Sequence, residues 1–182
     1  MNNTPPTSDI ATDLLDFEAY QQICRLKSRY FLCIDHKRWP ELRALYSEDA
    51  VYEGFPFPTS TPDEFVEGMA TWLAPMRTVH YGMMPELRSV GPQLVRGRWS
   101  MYDYLTWEPD SRVYKGFPIP GMYGIRGYGY YDEEYRLTPE GWRISFMRLT
   151  RQRIDPLAGD HIEPPPYDVP VPDLHWLDAR EH

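Results

Sequence analysis

The chain has 182 residues, with 27 acidic and 19 basic side chains, two Cys and 15% aromatic residues. That length suits one domain with tails and is long enough to bury a real core. A net charge of -8 disfavours a general binder of nucleic acid or anionic membranes, which needs a basic face, and no run of ~18 apolar residues is present to span a bilayer.

Residues 1–12 read as a disordered tail, polar and acidic, with no apolar core of a secretory signal. From Asp16 a helical period starts. Tyr20, Ile23, Leu26, Tyr30 and Ile34 recur at three- and four-residue steps, and the pattern ends near residues 35–37. Cys24 and Cys33 then face opposite sides of the helix, since nine steps of about 100° make two and a half turns. A disulfide between them is not expected, which suits a cytoplasmic protein. Trp39-Pro40 opens a shorter helix through Leu42 and Leu45, with proline in its first turn. Asp49 to Phe55 reads as a short strand. Thr61-Pro62-Asp63-Glu64 is a capping box, and the helix behind it carries Phe65, Met69, Trp72, Leu73 and Met76 on one stripe.

The period then changes to two. Strands are predicted over residues 77–90, 94–107, 122–137 and 141–154. Thr138-Pro139-Glu140-Gly141 is a hairpin turn in which proline presets the bend and glycine tolerates it, and Gly91-Pro92 breaks the chain in a similar way. The order predicts an α+β domain over residues 13–155, an antiparallel sheet with its helices on one face. Residues 156–182 form a Pro-rich arm, with six prolines from Pro156 to Pro172. It wraps the domain, covers a pocket or lies on a neighbouring subunit. No Gly-rich phosphate loop follows a strand, and no metal-type Cys spacing occurs.

Within the strand over 94–107, Val95, Gly97, Trp99, Met101, Leu105 and Trp107 share one parity with Asp103. Alternation puts that set on the core face. Asp103 therefore points where apolar groups belong and must be paired, hydrogen-bonded or neutralised. In the next strand Tyr123, Ile125, Tyr131 and Tyr135 share a parity with Gly127 and Gly129, which predicts a hollow or a bulge. His80, in Thr78-Val79-His80-Tyr81-Gly82, is either a satisfied strand histidine or a base. Tyr30 lies on the apolar stripe of the first helix. Asp35, five residues on, is about 140° away round an ideal helix, so spacing alone does not put the two on one face. Two loops echo one another, Gly54-Phe55-Pro56-Phe57-Pro58 and Gly116-Phe117-Pro118-Ile119-Pro120. They are satellite packing or the rim of a pocket for a hydrophobic ligand.

Together these pieces resemble the SnoaL-like branch of the NTF2-like superfamily, and within it the bacterial bile-acid 7-alpha-dehydratases. The likeness runs over most of residues 20–154. The segment Ile23 to Asp35, followed by Lys37, Trp39, Glu41 and Leu42, is similar to the family's first helix. Tyr30 and Asp35 match its Tyr and Asp. His80, Gly82, Pro85 and Glu86 match its strand His and the residues after it. Gly97, Arg98, Trp99 and Asp103 match a further motif, and Arg151, nine past Trp142, matches its last-strand Arg. A weaker likeness, to the hexachlorocyclohexane dehydrochlorinases, rests on the Asp–His pair and on Pro156 to His161 with Pro164 and Pro165. Both Gly-Phe-Pro loops and the tail after Pro166 depart from the pattern.

The resemblance implies an NTF2-like cone, a curved antiparallel sheet with three helices on its concave face. It implies a cofactor-independent dehydratase, without metal, that removes water from a 7α-hydroxy-3-oxo-4-ene steroid of bile-acid type. Tyr30, Asp35, His80, Asp103 and Arg151 are the implied catalytic residues; Phe55, Phe57 and Phe117 of the two apolar loops, with Trp99 and Tyr123, are expected from their own pattern to line the substrate pocket. Asp35 would fix the tautomer of His80, His80 would take and return a proton, and Tyr30 would donate to the ketone oxygen. Asp103 would donate to the leaving hydroxyl if protonated, or else orient His80 or Arg151. Arg151 would anchor a substrate carboxylate or orient Asp35. A homotrimer is also implied, with no nucleic-acid or membrane partner. The alternatives are a dehydrochlorinase or ketosteroid-type isomerase on the same dyad, and a non-catalytic module binding hydrophobic ligands.

Overall fold

A computed structural model describes residues 15–159. Three helices, α1 (Phe17–Asp35), α2 (Trp39–Arg43) and α3 (Pro62–Leu73), accompany five strands. These are β1 (Tyr46–Glu53), β2 (Arg77–Gly91), β3 (Leu94–Thr106), β4 (Met122–Thr138) and β5 (Gly141–Ala158). The sheet order is β1-β5-β4-β3-β2. This is the α+β NTF2-like architecture, a curved sheet with its helices on one side.

The helix starts follow from local chemistry. Asp16 caps α1 by accepting from the Ala19 amide at 2.9 Å. Thr61 caps α3 by accepting from the Glu64 amide at 3.2 Å, while Glu64 accepts in return from the Ser60 amide at 2.9 Å. Ala19, Ile23, Leu26, Tyr30, Cys33 and Ile34 form the buried stripe of α1. Tyr20 does not belong to it. It sits in the first turn on the flank of the stripe and is exposed, whereas Lys27, on that same flank about two turns deeper, is buried. Both cysteines are free thiols.

The four long strands pair antiparallel, as hairpin-linked neighbours must. The β1–β5 pair is parallel, with Tyr46 opposite Ile144 and Val51 opposite Phe146. The sheet is therefore mixed rather than wholly antiparallel. No hairpin joins β1 to β5, so the turn chemistry that orients the other strands does not constrain this pair. β5 also runs past residue 154 to Ala158 and takes Pro156 into the strand. Its pairing with β1 stops at Arg148, so Pro156 lies on an open edge, where a missing N–H costs no ladder bond.

Odd positions of β3 from Val95 to Leu105 are buried, as alternation predicts. The apolar ones, Val95, Trp99, Met101 and Leu105, join one core with Phe65, Met69, Leu73, Ile144 and Met147. Each aliphatic or aromatic side chain there contributes about 1.5–3 kcal/mol on burial. In β2 the inward parity switches at a bulge between Met83 and Glu86, where Met84 has a φ of 49° and is exposed. Residues 160–182, and with them most of the Pro-rich arm, lie outside the described residues, as does the tail over 1–12. No helix among the described residues is long and apolar enough to cross a membrane.

Candidate active site

Asp35 is the last residue of α1. Its carboxylate turns onto β2 and accepts three hydrogen bonds there. The His80 amide donates to Oδ2 at 2.9 Å, the Thr78 hydroxyl donates to Oδ1 at 2.9 Å, and His80 Nδ1 lies 2.7 Å from Oδ1. Lys37 Nζ donates to the Thr78 hydroxyl at 3.0 Å. Burial lowers the Lys37 pKa to about 8 against the opposing pull of the Asp35 charge. The His80 side chain is only 5% exposed and Asp35 18%. An Nδ1–H bond to Asp35 leaves Nε2 as the ring's free base.

Asp35 and His80 meet although 45 residues separate them in the chain. The end of α1 packs on β2, and the partners of Asp35 come from a strand more than forty residues away.

Directly opposite His80 on β3 stands Asp103, and opposite Asp103 on β4 stands Gly127. Asp103 is fully buried. Its Oδ2 accepts from Arg151 Nε at 3.0 Å and Nη2 at 2.5 Å, while Oδ1 has no hydrogen-bond partner. A Cβ at Gly127 would fall 2.0 Å from Asp103 Oδ1 and 3.1 Å from Arg151 Nε. A Cβ at Gly129 would fall 1.8 Å from the Thr150 carbonyl oxygen, at a bulge. The two glycines thus leave a hollow that seats the Asp103–Arg151 pair and a bulge beside it. Arg151 serves Asp103, with a charge-assisted fork, and not Asp35. Asp103 thus meets Arg151 through Oδ2 alone and leaves Oδ1 without a hydrogen-bond partner.

Tyr30 is fully buried, with its ring edge-on to Phe31 and Tyr131 at centroid distances of 5.3 and 5.9 Å. Its hydroxyl has no hydrogen-bond partner of good geometry. Burial, reinforced by neighbouring Tyr131, Tyr46 and Glu133, raises its pKa well above the ordinary phenol value. Tyr30 therefore stays a neutral phenol.

A second polar group, not singled out in the sequence, lies in the same interior. Lys27 and Glu133 are fully buried and pair at 2.5 Å. Tyr135 donates to the other Glu133 oxygen in a very short bond, and Trp99 Nε1 donates to the Tyr135 hydroxyl at 2.8 Å. Trp99 is thus held in a network as well as lining the interior.

The remaining predicted residues separate. Phe55 and Phe57 pack on Phe65 of α3 at 4.8 and 6.0 Å, and the Phe57 ring covers Gly68. Both rings thus pack on α3, and Phe57 also lines a groove beside it. Phe117 faces Tyr114 across a one-bridge turn and is 73% exposed. Tyr123 is half-buried at the start of β4. A groove of about 640 Å³ lies on the outer sheet face among Arg96, Arg98, Asp132 and Arg148. Another of about 470 Å³ lies beside α3 among Phe57, Trp72 and Arg112. Neither contains His80. Among the described residues no group of three His, Cys, Asp or Glu side chains is placed to hold a metal ion.

The fold and its buried Asp–His pair define a class of small α+β cones. The chain belongs to the SnoaL-like domain family, whose model matches residues 16–148. Among solved structures it is similar to a type 2 hexachlorocyclohexane dehydrochlorinase, LinA, with 22% identity and a TM-score of 0.67 over 82% of this chain and 95% of that one. It is also similar to a type 3 LinA from Novosphingobium barchaimii, with 20% identity and a TM-score of 0.66 over 81% and 96% of the two chains. A candidate scytalone dehydratase from Novosphingobium aromaticivorans matches with 16% identity and a TM-score of 0.64 over 80% and 91%. At these identities the likeness is one of fold.

Proposed function

We propose that the protein is a cofactor-independent dehydratase acting on a 7α-hydroxy-3-oxo-4-ene steroid. The observation that carries this reading is the buried His80 Nδ1–Asp35 contact of 2.7 Å, with Tyr30 and Asp103 in the same interior. His80 Nε2 takes the C6 proton, which the conjugated ketone acidifies. The dienolate charge gathers on the ketone oxygen, where the Tyr30 phenol donates to it. The C7–O bond then breaks, the C6–C7 double bond forms, and the proton held by His80 leaves with the hydroxyl as water. Asp103 Oδ1, the unpartnered buried acceptor, takes the hydrogen bond of the 7α-hydroxyl and aims it, while Arg151 holds Asp103 in place.

Incubation of purified protein with such a steroid tests the proposal. A rising absorbance of the 4,6-dien-3-one and a product lighter by one water support it. No mass change would indicate an isomerase, and turnover of a chlorinated cyclohexane with loss of HCl a dehydrochlorinase. Tight binding without turnover would indicate a binding module.

We also propose a homotrimer built on the outer sheet face. Tyr81, Tyr102 and Tyr128 stand directly opposite one another across β2, β3 and β4 there, with centroids 6.3 and 5.3 Å apart. Tyr81 is 54% exposed and Tyr128 36%. This row is the aromatic surface an interface would use.

A further inference from the structure

The steps above leave the Lys27–Glu133 pair unused. Lys27 Nζ lies 3.9 Å from the centroid of the Tyr30 ring, 3.7 Å from that of Tyr131 and 4.7 Å from that of Phe31. Glu133 holds it at 2.5 Å, and the Tyr135 hydroxyl braces Glu133 from its other oxygen. The ammonium is thus a fixed charge closed in by one carboxylate and three aromatic faces. As a stabiliser such a pair is a poor choice, since desolvation offsets its attraction and apolar side chains of similar volume often serve as well. As an electrostatic device it is well placed. A cation on the face of a phenol ring opposes the build-up of positive charge in the ring and favours negative charge on the oxygen. Lys27, Glu133 and Tyr30 are fully buried, so that field is weakly screened.

We propose that Lys27, clamped by Glu133, is a positioning residue that strengthens the Tyr30 hydroxyl as a hydrogen-bond donor to the substrate's carbonyl oxygen, an inference that rests on the donor role proposed for Tyr30. Lys27 sits one turn before Tyr30 on α1, so the helix fixes cation and ring relative to each other. Glu133, on β4, fixes the lysine from the sheet side. The arrangement acts through Tyr30 and not on the dyad, because the ammonium of Lys27 is held by Glu133 and the rings of Tyr30, Phe31 and Tyr131 rather than by Asp35 or His80.

The test uses the full chain, a 7-deoxy 3-oxo-4-ene steroid labelled with ¹³C at the ketone, and isotope-edited infrared spectroscopy. The carbonyl stretch of the bound steroid reports donor strength without turnover. The variants are Tyr30→Phe and two neutral pairs, Lys27→Gln with Glu133→Gln, and Lys27→Met with Glu133→Leu. If one pair fails to fold, the other carries the test. The stretch should be lowest in the wild type, and both neutral pairs should move it most of the way to its Tyr30→Phe position. With the 7α-hydroxylated substrate, kcat should fall about tenfold in the pairs with KM little changed. Added to Tyr30→Phe, the pairs should cost no further activity. A wild-type stretch in the neutral pairs, or an equal loss of kcat with and without Tyr30, would mark Lys27 as a packing residue and overturn the inference while sparing the role of Tyr30. A stretch unmoved by Tyr30→Phe would remove the donor role itself, and this inference with it.

Discussion

Gly127→Ala isolates the seat of the Asp103–Arg151 pair. The added methyl would start 2.0 Å from Asp103 Oδ1 and 2.9 Å from its Cγ, against about 3.4 Å for ordinary contact. The carboxylate must therefore retreat by about 1.4 Å. Asp103 is short and fully buried, so it has little room to swing. A shift of that size exceeds the slack in bonds of 2.5 and 3.0 Å to Arg151. Breaking a buried pair typically costs ~3–5 kcal/mol, and partial relaxation brings the expected loss here to about 3 kcal/mol. Urea unfolding measures it. Turnover should fall too, because the acceptor that aims the hydroxyl has moved. Gly91→Ala is the control. Its nearest neighbour would be the Leu94 Cβ at 3.9 Å, and its stability should stay within ~0.5 kcal/mol of wild type. A Gly127→Ala protein as stable and as active as wild type would refute the claim that this glycine seats the pair.

Asp35→Asn keeps the shape of its side chain but removes the charge that fixes the His80 tautomer. Its kcat should drop roughly 10²-fold, and an unaltered rate would take Asp35 out of the site. Stability should pass through a maximum in alkaline solution. Burial lowers Lys27 from 10.5 to about 8, so between those values the unfolded chain binds more protons and unfolding free energy rises with pH. Burial raises Tyr30, Tyr46, Tyr131 and Tyr135 above the ordinary 10.0, so the unfolded chain loses their protons first and stability falls beyond about pH 10. Urea titrations from pH 7 to 11 would contradict this by showing a steady fall throughout. Tyr102→Glu places a charge in the centre of the outer tyrosine row. Light scattering should show a trimer for the wild type and a monomer for the variant, and an unchanged mass would exclude that face as the interface.

Much of this molecule can be read from periodicity. Alternation in β3 locates Asp103 on the core face, and the same argument in β4 locates the glycine hollow. Applied one step further it reaches Glu133, which shares the inward parity of Tyr131 and Tyr135 and is 2% exposed. Lys27 was within reach as well, three residues before Tyr30 and four after Ile23. A long cationic side chain at such a place reads as a solvated flank until a buried carboxylate is known to face it. The Asp35–His80 contact could not come from spacing, because its partners lie 45 residues apart on a helix end and a strand. The parallel β1–β5 pair was hidden for a similar reason, since no turn connects those strands. Phe55 and Phe57 show the limit in the other direction. An apolar, proline-stiffened loop looks the same in sequence whether it lines a pocket or packs on a helix, and here both rings pack on α3.

The direct trial of the dyad is the rate at which His80→Ala forms the 4,6-dien-3-one from a 7α-hydroxy-3-oxo-4-ene steroid at saturation, beside wild type. Wild-type protein should form the dienone, and the variant should form it at least ~10²-fold more slowly with its thermal unfolding little changed. Equal rates in the two proteins would contradict the account.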